Sequence, residues 1–316
     1  MTGPGDLGNS LAALRVPDAS QGPGPMPARL VDALDLQLGR LITHTLAGAR
    51  SATGTGAGTE LSQLRAYAPG DDVRHVDAAA SARTATLQVR VHVPERALTT
   101  WLVIDLSPSM AFGTALRLKS DVAHGAALVF ARLGTRRAGN VGAVAFGVPD
   151  AFDGVRVLAP RGARRGLVAV RRLLDAGVAA DSDTGRREGT LAQAAERVLR
   201  LARLPGLVVV ISDFRDQQGW ERPLGALRLR HAVLAVEVTD PGESALPRLG
   251  RLALVDPESG VVVRADTADR RLGERFAALE SERREALSRE LRRLAIRHVT
   301  LSTADDWLAA LGRGIR

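Results

Sequence analysis

The chain contains no cysteine. That removes disulfides, thiolate metal sites and cysteine nucleophiles from consideration, and it fits a reducing compartment. Aromatic residues are scarce, with one Tyr, three Trp and six Phe among 316 residues. So few rings argue against the stacking platforms that hold single-stranded nucleic acids. Long apolar runs are also missing. Stretches such as Leu207 to Ile211 fall far short of the roughly 20 residues that span a bilayer. The first residues lack the basic-then-apolar order of a secretory signal. There is no G-x-S-x-G elbow and no G-x-x-x-x-G-K-[ST] loop. The six histidines (His44, His75, His92, His124, His231 and His298) never stand at H-x-x-x-H spacing, so a zinc hydrolase is not expected. Together these absences lead to the expectation of a cytoplasmic protein with no membrane partner.

What remains is a long chain with 45% hydrophobic residues, enough for a folded domain with a sizeable core. The formal charge is +8, carried mostly by arginine. A nucleic-acid surface would explain that excess, and so would arginine spread over solvated faces. The shortage of aromatics favours the second reading, and nucleic acid is not expected as a partner.

Composition divides the chain into three parts. Residues 1–27 are rich in Gly, Pro and Ser, and read as a mobile tail. Leu30, Leu34, Leu38 and Leu41 recur at helical spacing and predict a helix from Ala28 to about Ala47. Ser51 to Thr59 reads as a linker, since no strand precedes its glycines and no lysine follows them. Pro69-Gly70-Asp71-Asp72 is a turn. Leu87, Val89, Val91 and Val93 alternate with polar residues as a half-buried strand. Residues 28–96 are therefore expected to form a helix and β segment.

From Leu98 the rhythm becomes strand–helix alternation. Strands are predicted at Leu98–Asp105, Asn140–Phe146, Val155–Leu158, Leu207–Ser212, Ala232–Val238 and His298–Leu301. A hairpin is expected from Arg251–Val255 and Val261–Val263, turning at Pro257 to Gly260. Helices are predicted at Leu116–Leu133, Ala163–Leu174, Leu191–Leu204, Thr267–Leu294 and Asp305–Leu311. This pattern predicts a doubly wound, mostly parallel α/β sheet over residues 97–316, with helices on both faces. The Glu280/Arg284 and Glu285/Arg289 pairs read as a solvated helix face.

In such a sheet, ligands bind beyond the carboxyl ends of strands where the winding reverses. Asp105-Leu106-Ser107-Pro108-Ser109 follows directly on an apolar run, so one tight loop presents three hard oxygen donors. Ser and Asp in that place often only cap a helix or make a turn. Two further features point to a ligand. Thr190 stands just before the helix at Leu191, and Asp213 ends the strand Leu207–Ser212. The five residues would give two carboxylates and three hydroxyls, a donor set suited to Mg²⁺, or to another dication such as Mn²⁺ or Ca²⁺. No general base stands beside them, and metal-assisted hydrolysis usually needs one.

Asp105-x-Ser107-x-Ser109, Thr190 and Asp213, in this order, resemble the metal-ion-dependent adhesion site of von Willebrand factor A domains. The Arg65–Arg83 segment, Met110-x-Phe112-Gly113 and Ile211-Ser212-Asp213-Phe214 resemble the bacterial domain-of-unknown-function family 58. Where that family usually has a tryptophan after the aspartate of Val76-Asp77, this chain has Ala78. The resemblance implies a von Willebrand factor A-like fold and a site in which Ser107, Ser109 and Thr190 are direct ligands. Asp105 and Asp213 would act directly or through water. It further implies a non-enzymatic adaptor or assembly factor whose metal is completed by a partner's Asp or Glu, working with a MoxR-type AAA+ ATPase. A metal-dependent phosphohydrolase on the same fold is the alternative.

Two charged stretches have structural readings. Asp71, Asp72, Arg74, Asp77 and Arg83 read as an ion-pair network rather than an acidic site. Arg161, Arg164, Arg165, Arg171 and Arg172 read as the solvated face of a helix burying Leu167, Val170, Leu173 and Leu174.

Overall fold

The computed structural model describes residues 17, 19–50, 60–69, 71–93, 98–136, 139–148, 154–175, 177, 189–215, 219–255 and 261–316. The linker at 51–59 and the turn at 257–260 read from the sequence lie outside them. The chain forms two compact units, residues 1–46 with 98–316, and residues 47–97.

The larger unit is built on a six-stranded sheet. Its strands are β3 (Thr99–Asp105), β4 (Asn140–Phe146), β5 (Val155–Gly162), β6 (Leu207–Ser212), β7 (Ala232–Thr239) and β10 (Arg297–Ser302). Their spatial order is β5-β4-β3-β6-β7-β10, and only the edge strand β5 runs antiparallel to its neighbour. Winding starts at β3 and proceeds first towards β5, then from β6 towards β10, so it reverses between β3 and β6. Central strands are buried on both faces, which is why they read as unbroken apolar runs. Leu102, Ile104, Val209, Ile211 and Val236 face one core, with helices α3 (Lys119–Gly134), α4 (Ala163–Asp175) and α8 (Trp307–Ile315). Trp101, Val103, Val208, Val210 and Ala235 face the other, with α5 (Leu191–Leu201), α6 (Glu221–Arg228) and α7 (Arg270–Arg293). β5 carries Pro160 and is half-buried or exposed beyond Val155, as an edge strand that can forgo a backbone donor is. The hairpin β8 (Arg251–Val255) and β9 (Val262–Asp266) forms a separate two-stranded sheet.

Two expectations about the N-terminal third change. Helix α1 (Ala28–Arg50) does not group with the β segment. Val31, Leu34 and Leu38 lie in the first core, and Arg136 pairs with Asp32 and Asp35. The buried stripe runs through Val31 rather than Leu30, which is exposed. Residues 19–27, expected to be a mobile tail, are docked. The Asp121 carboxylate accepts hydrogen bonds from the Ser20 hydroxyl and from the Gln21 and Gly22 amides, the latter two at 2.9 and 3.0 Å. The Pro23 carbonyl accepts from Arg117 Nη1 at 2.6 Å and from Trp307 Nε1 at 2.8 Å. A carboxylate on the first turn of α3 has orphan amides to satisfy around it, and this segment brings two more.

The smaller unit pairs β1 (Glu60–Ala66) antiparallel with β2 (Gln88–Val93), with helix α2 (Ala78–Thr84) between them in sequence. Asp71 pairs with Arg65 at 2.6 Å, Asp72 caps the 3₁₀ turn at Val73, and Asp77 caps α2 through the Ala80 amide. The acidic cluster of this segment is thus spent on one ion pair and two caps.

Candidate functional site

Asp105 is the last residue of β3 and Asp213 follows the last residue of β6. Because β3 and β6 are parallel neighbours, both carboxylates emerge at the same edge, where the winding reverses. Pro108 opens a 3₁₀ turn, Pro108–Ala111, and fixes one backbone angle there. Ser107 occupies the cap position of that turn, yet its hydroxyl makes no cap bond. It donates instead to Asp105 Oδ1 at 2.6 Å and lies 3.1 Å from Ser109 Oγ. The Ser107 amide donates to the same carboxylate oxygen at 3.0 Å. Ser109 in turn hydrogen-bonds Asp213. The capping explanation open at the sequence level is therefore not what the Ser107 hydroxyl does. Four of the five expected residues meet in one buried cluster.

Thr190 is engaged with its own helix. Its hydroxyl caps α5 by accepting from the Gln193 amide at 3.2 Å, and the Gln193 side chain accepts from the Thr190 amide. It is linked to the loop through backbone. The Gly189 carbonyl accepts from the Gly147 amide at 3.1 Å, and Gly147 packs on Ser107. Gly147 has φ +71°, and a Cβ there would meet the Ser107 nitrogen at 2.6 Å. Gly147→Ala is therefore expected to cost about 1–3 kcal/mol, from a left-handed backbone and a clash with main chain. It should also displace the Ser107 loop. Chemical denaturation, together with a ¹H–¹⁵N spectrum of the loop amides, checks both effects.

Electrostatics sets the two carboxylates apart. Burial, and then the Asp213 charge, push the Asp105 carboxyl up from the usual 3.8 to about 7, against the hydrogen bonds it accepts. Burial would raise Asp213 as well, but Lys119, together with the Arg215 amide and Ser109, holds it below the usual carboxylate range. The Lys119 ammonium is fully buried. It donates to Asp213 Oδ2 at 2.7 Å and to Glu243 Oε1 at 2.6 Å. Burial would lower it, and its two carboxylate partners hold it above the ordinary lysine value. From Glu243 the charges continue to Arg215 at 3.2 Å, then to Glu280 at 3.1 Å and to Arg283 and Arg284. Glu280 is buried in this network, which corrects the expectation of a solvated Glu280/Arg284 pair. Glu285 and Arg289 are exposed, as expected.

Three members of the site were not singled out from sequence. Ser212 donates to Asp105 Oδ2 at 2.5 Å and accepts from the Phe214 amide at 3.0 Å. Glu243 comes from the turn after β7, whose placement depends on tertiary structure. Lys119 left a signal. It is the first residue of α3, where the helix dipole disfavours a cation, and it is the one lysine among the chain's 43 Lys and Arg residues. Among the described residues no group of three or more His, Asp or Glu side chains is placed to hold a metal. The donors gathered here are two carboxylates and hydroxyl oxygens, a set suited to a hard dication. Arg161, Arg164, Arg165, Arg171 and Arg172 are exposed, while Val170, Leu173 and Leu174 are buried.

The chain is similar to proteins that are themselves described only as uncharacterized. Uncharacterized protein Rv1480 of Mycobacterium tuberculosis (strain ATCC 25618 / H37Rv) is 36% identical over 289 residues, covering 92% of this chain and 89% of that protein. Uncharacterized protein MAV169 of Mycobacterium avium is 40% identical over 128 residues, 40% of this chain and 75% of the relative. Among solved structures, the conserved hypothetical protein BatB from Bacteroides thetaiotaomicron is similar over 69% of this chain and 97% of its own, with a TM-score of 0.45 and 16% identity. An aerotolerance-related membrane protein from Bacteroides fragilis NCTC 9343, with multiple mutations to serines, covers 69% of this chain and 98% of its own, with a TM-score of 0.42 and 15% identity. The cytoplasmic location expected from the sequence is at odds with the descriptions of two neighbours: that structure and an uncharacterized membrane spanning protein from Vibrio fischeri, which covers 68% of this chain with a TM-score of 0.24 and 17% identity, are membrane proteins by description. Among the described residues no helix is long and apolar enough to cross a membrane. The family described as "Protein of unknown function DUF58" matches residues 63–286, and the chain belongs to that family.

Proposed function

We propose that the larger unit is a von Willebrand factor A-like binding module that docks a protein partner through a divalent cation, Mg²⁺ foremost. The observation that carries this reading is the convergence of Asp105, Ser107, Ser109 and Asp213 at the edge where β3 and β6 part. Ser107 and Ser109 are turned towards the carboxylates rather than spent on caps. Asp105 is a buried acid whose carboxyl is pushed up to about 7 by burial and then by the Asp213 charge. Asp105, Ser107, Ser109 and Asp213 would hold the ion, and the Thr190 hydroxyl keeps a lone pair that can join them. When bound, the ion supplies an electrophilic centre for an anionic oxygen of a partner. The partner contributes an Asp or Glu, and a MoxR-type AAA+ ATPase is the proposed candidate, by resemblance alone.

The test is capture of a purified MoxR-type ATPase by the wild type and by Asp105→Ala, in Mg²⁺ and in chelator. Capture that needs both Mg²⁺ and Asp105 supports the reading. Capture indifferent to both overturns the docking mechanism. Mg²⁺-dependent release of phosphate from a phosphoester, abolished by Asp105→Ala, would replace the adaptor with a phosphohydrolase.

A further inference from the structure

We propose that Lys119 is the resident cation of the site, holding Asp213 when no dication is bound and setting how strongly a dication and an outside anion are taken up. The inference rests on the dication site proposed above and concerns its regulation. Three observations carry it. Lys119 Nζ is fully buried and lies 2.7 Å from Asp213 and 2.6 Å from Glu243. It is the one lysine in a chain that otherwise uses arginine for every basic position. It also begins α3, where a positive charge opposes the helix dipole and so needs another reason to be there.

The choice of lysine follows from shape. An ammonium is a compact point charge with three donors, while a guanidinium is a planar fork that needs room on its rim. At Lys119 a single buried nitrogen serves both carboxylates. Phe112 adds to the enclosure, with its ring centroid 5.9 Å from the ammonium.

Charge counting then shows what Lys119 does. With the acids ionised, Asp105, Asp213 and Glu243 carry −3, and Lys119 with Arg215, which pairs with Glu243 at 3.2 Å, returns the set to −1. A dication makes that set +1, and the excess calls for an anionic oxygen from outside. Without the ammonium, the same groups and dication sum to zero. The dication would then be held more tightly and the outside anion less so. Lys119 thus turns the site from one that retains metal into one that captures a carboxylate. Glu243 tempers the effect, since it shares the ammonium with Asp213.

The test uses Mn²⁺ alone as probe, with binding followed by electron paramagnetic resonance on the full chain. Lys119→Met is expected to bind Mn²⁺ about tenfold more tightly than the wild type, or better still. Glu243→Gln leaves the ammonium wholly on Asp213 and is expected to weaken Mn²⁺ several-fold, about threefold to tenfold. It keeps its acceptor oxygen, so it serves if Lys119→Met does not fold. A third readout separates a direct role from a structural one. Protein labelled with ¹⁵N-lysine gives one side-chain ammonium signal, which should shift on saturation with Mg²⁺ in the wild type and stay fixed in Asp105→Ala. If Asp105→Ala abolishes Mn²⁺ binding but Glu243→Gln leaves the affinity unchanged and the ammonium signal does not move, Lys119 is only a structural ion pair and this inference is overturned. If the wild type binds no Mn²⁺, or binds it as well as Asp105→Ala does, the dication site and this inference fall together.

Discussion

Lys119→Met is expected to lower the unfolding free energy by about 3–5 kcal/mol, because removing one partner of a buried ion pair leaves the other charges uncompensated. Here two charges are left, Asp213 and Glu243. Methionine keeps an unbranched chain of similar reach, so the loss is electrostatic rather than a cavity. The pH dependence fixes the cause. In the wild type Asp213 is held below its ordinary range by Lys119. It therefore contributes stability that is present above the unfolded carboxylate value and is lost as pH falls through the lower folded one. The variant lacks that contribution at neutral pH, so its deficit should be full near pH 7 and should shrink below about pH 4 as the acids take up protons. Urea unfolding in chelator at both pH values measures this, with a shifted midpoint and an unchanged slope as the expected form. A deficit under about 1 kcal/mol at neutral pH would mean that Asp213 and Glu243 find other compensation, Arg215 being the nearest source.

The strands of the larger unit were legible because burial on both faces writes itself as continuous apolar sequence. Asn140–Phe146 and Leu207–Ser212 were read to the residue. Elements whose stability comes from their surroundings were not. β1 carries Glu60, Gln63 and Arg65 among its residues and is a strand because β2 pairs with it. α6 begins at Glu221 without a side-chain cap and contains both Pro223 and Gly225. Leu224 and Leu227 hold it against the second core. The same division runs through the site. Asp105, Ser107 and Ser109 are contiguous, and a tight loop after a strand leaves them few places to go. Glu243 and Glu280 reach the network from separate loops and helices, so nothing in their local sequence distinguishes them from solvated acids. Lys119 lies between these cases. Its neighbours in sequence do not reveal its partners, but its place at a helix start breaks a local rule, and such breaks collect at functional sites.

Asp105→Asn is expected to raise the melting temperature in chelator by about 5–10 °C near pH 8 and to leave it almost unchanged near pH 4, for a gain on the order of 2–4 kcal/mol. The folded state holds Asp105 at about 7 against the usual 3.8, first through burial and then through Asp213. The folded protein therefore binds this proton where the unfolded chain has released it, and stability falls as pH rises from about 4 to about 7, then levels off. Asparagine removes the charge and keeps an acceptor for the Ser107 amide and hydroxyl, so the penalty disappears while most of the loop's hydrogen bonds stay. The gain is trimmed at Ser212, whose hydroxyl now donates to Asp105 Oδ2 and would face an amide donor instead. Saturating Mg²⁺ should reverse the order of the two proteins. A ligand that binds only the folded state adds stability in proportion to the logarithm of its excess over the dissociation constant. In the wild type that addition should grow with pH as Asp105 releases its proton, while the variant, with one carboxylate fewer, should gain little. Thermal unfolding of both proteins at the two pH values, with Mg²⁺ and with chelator, therefore separates two roles for one side chain. A wild type that gains nothing from Mg²⁺ at high pH would leave Asp105 as a strained structural acid. A variant that melts lower than the wild type near pH 8 in chelator would show that its hydrogen bonds, not its charge, govern the loop.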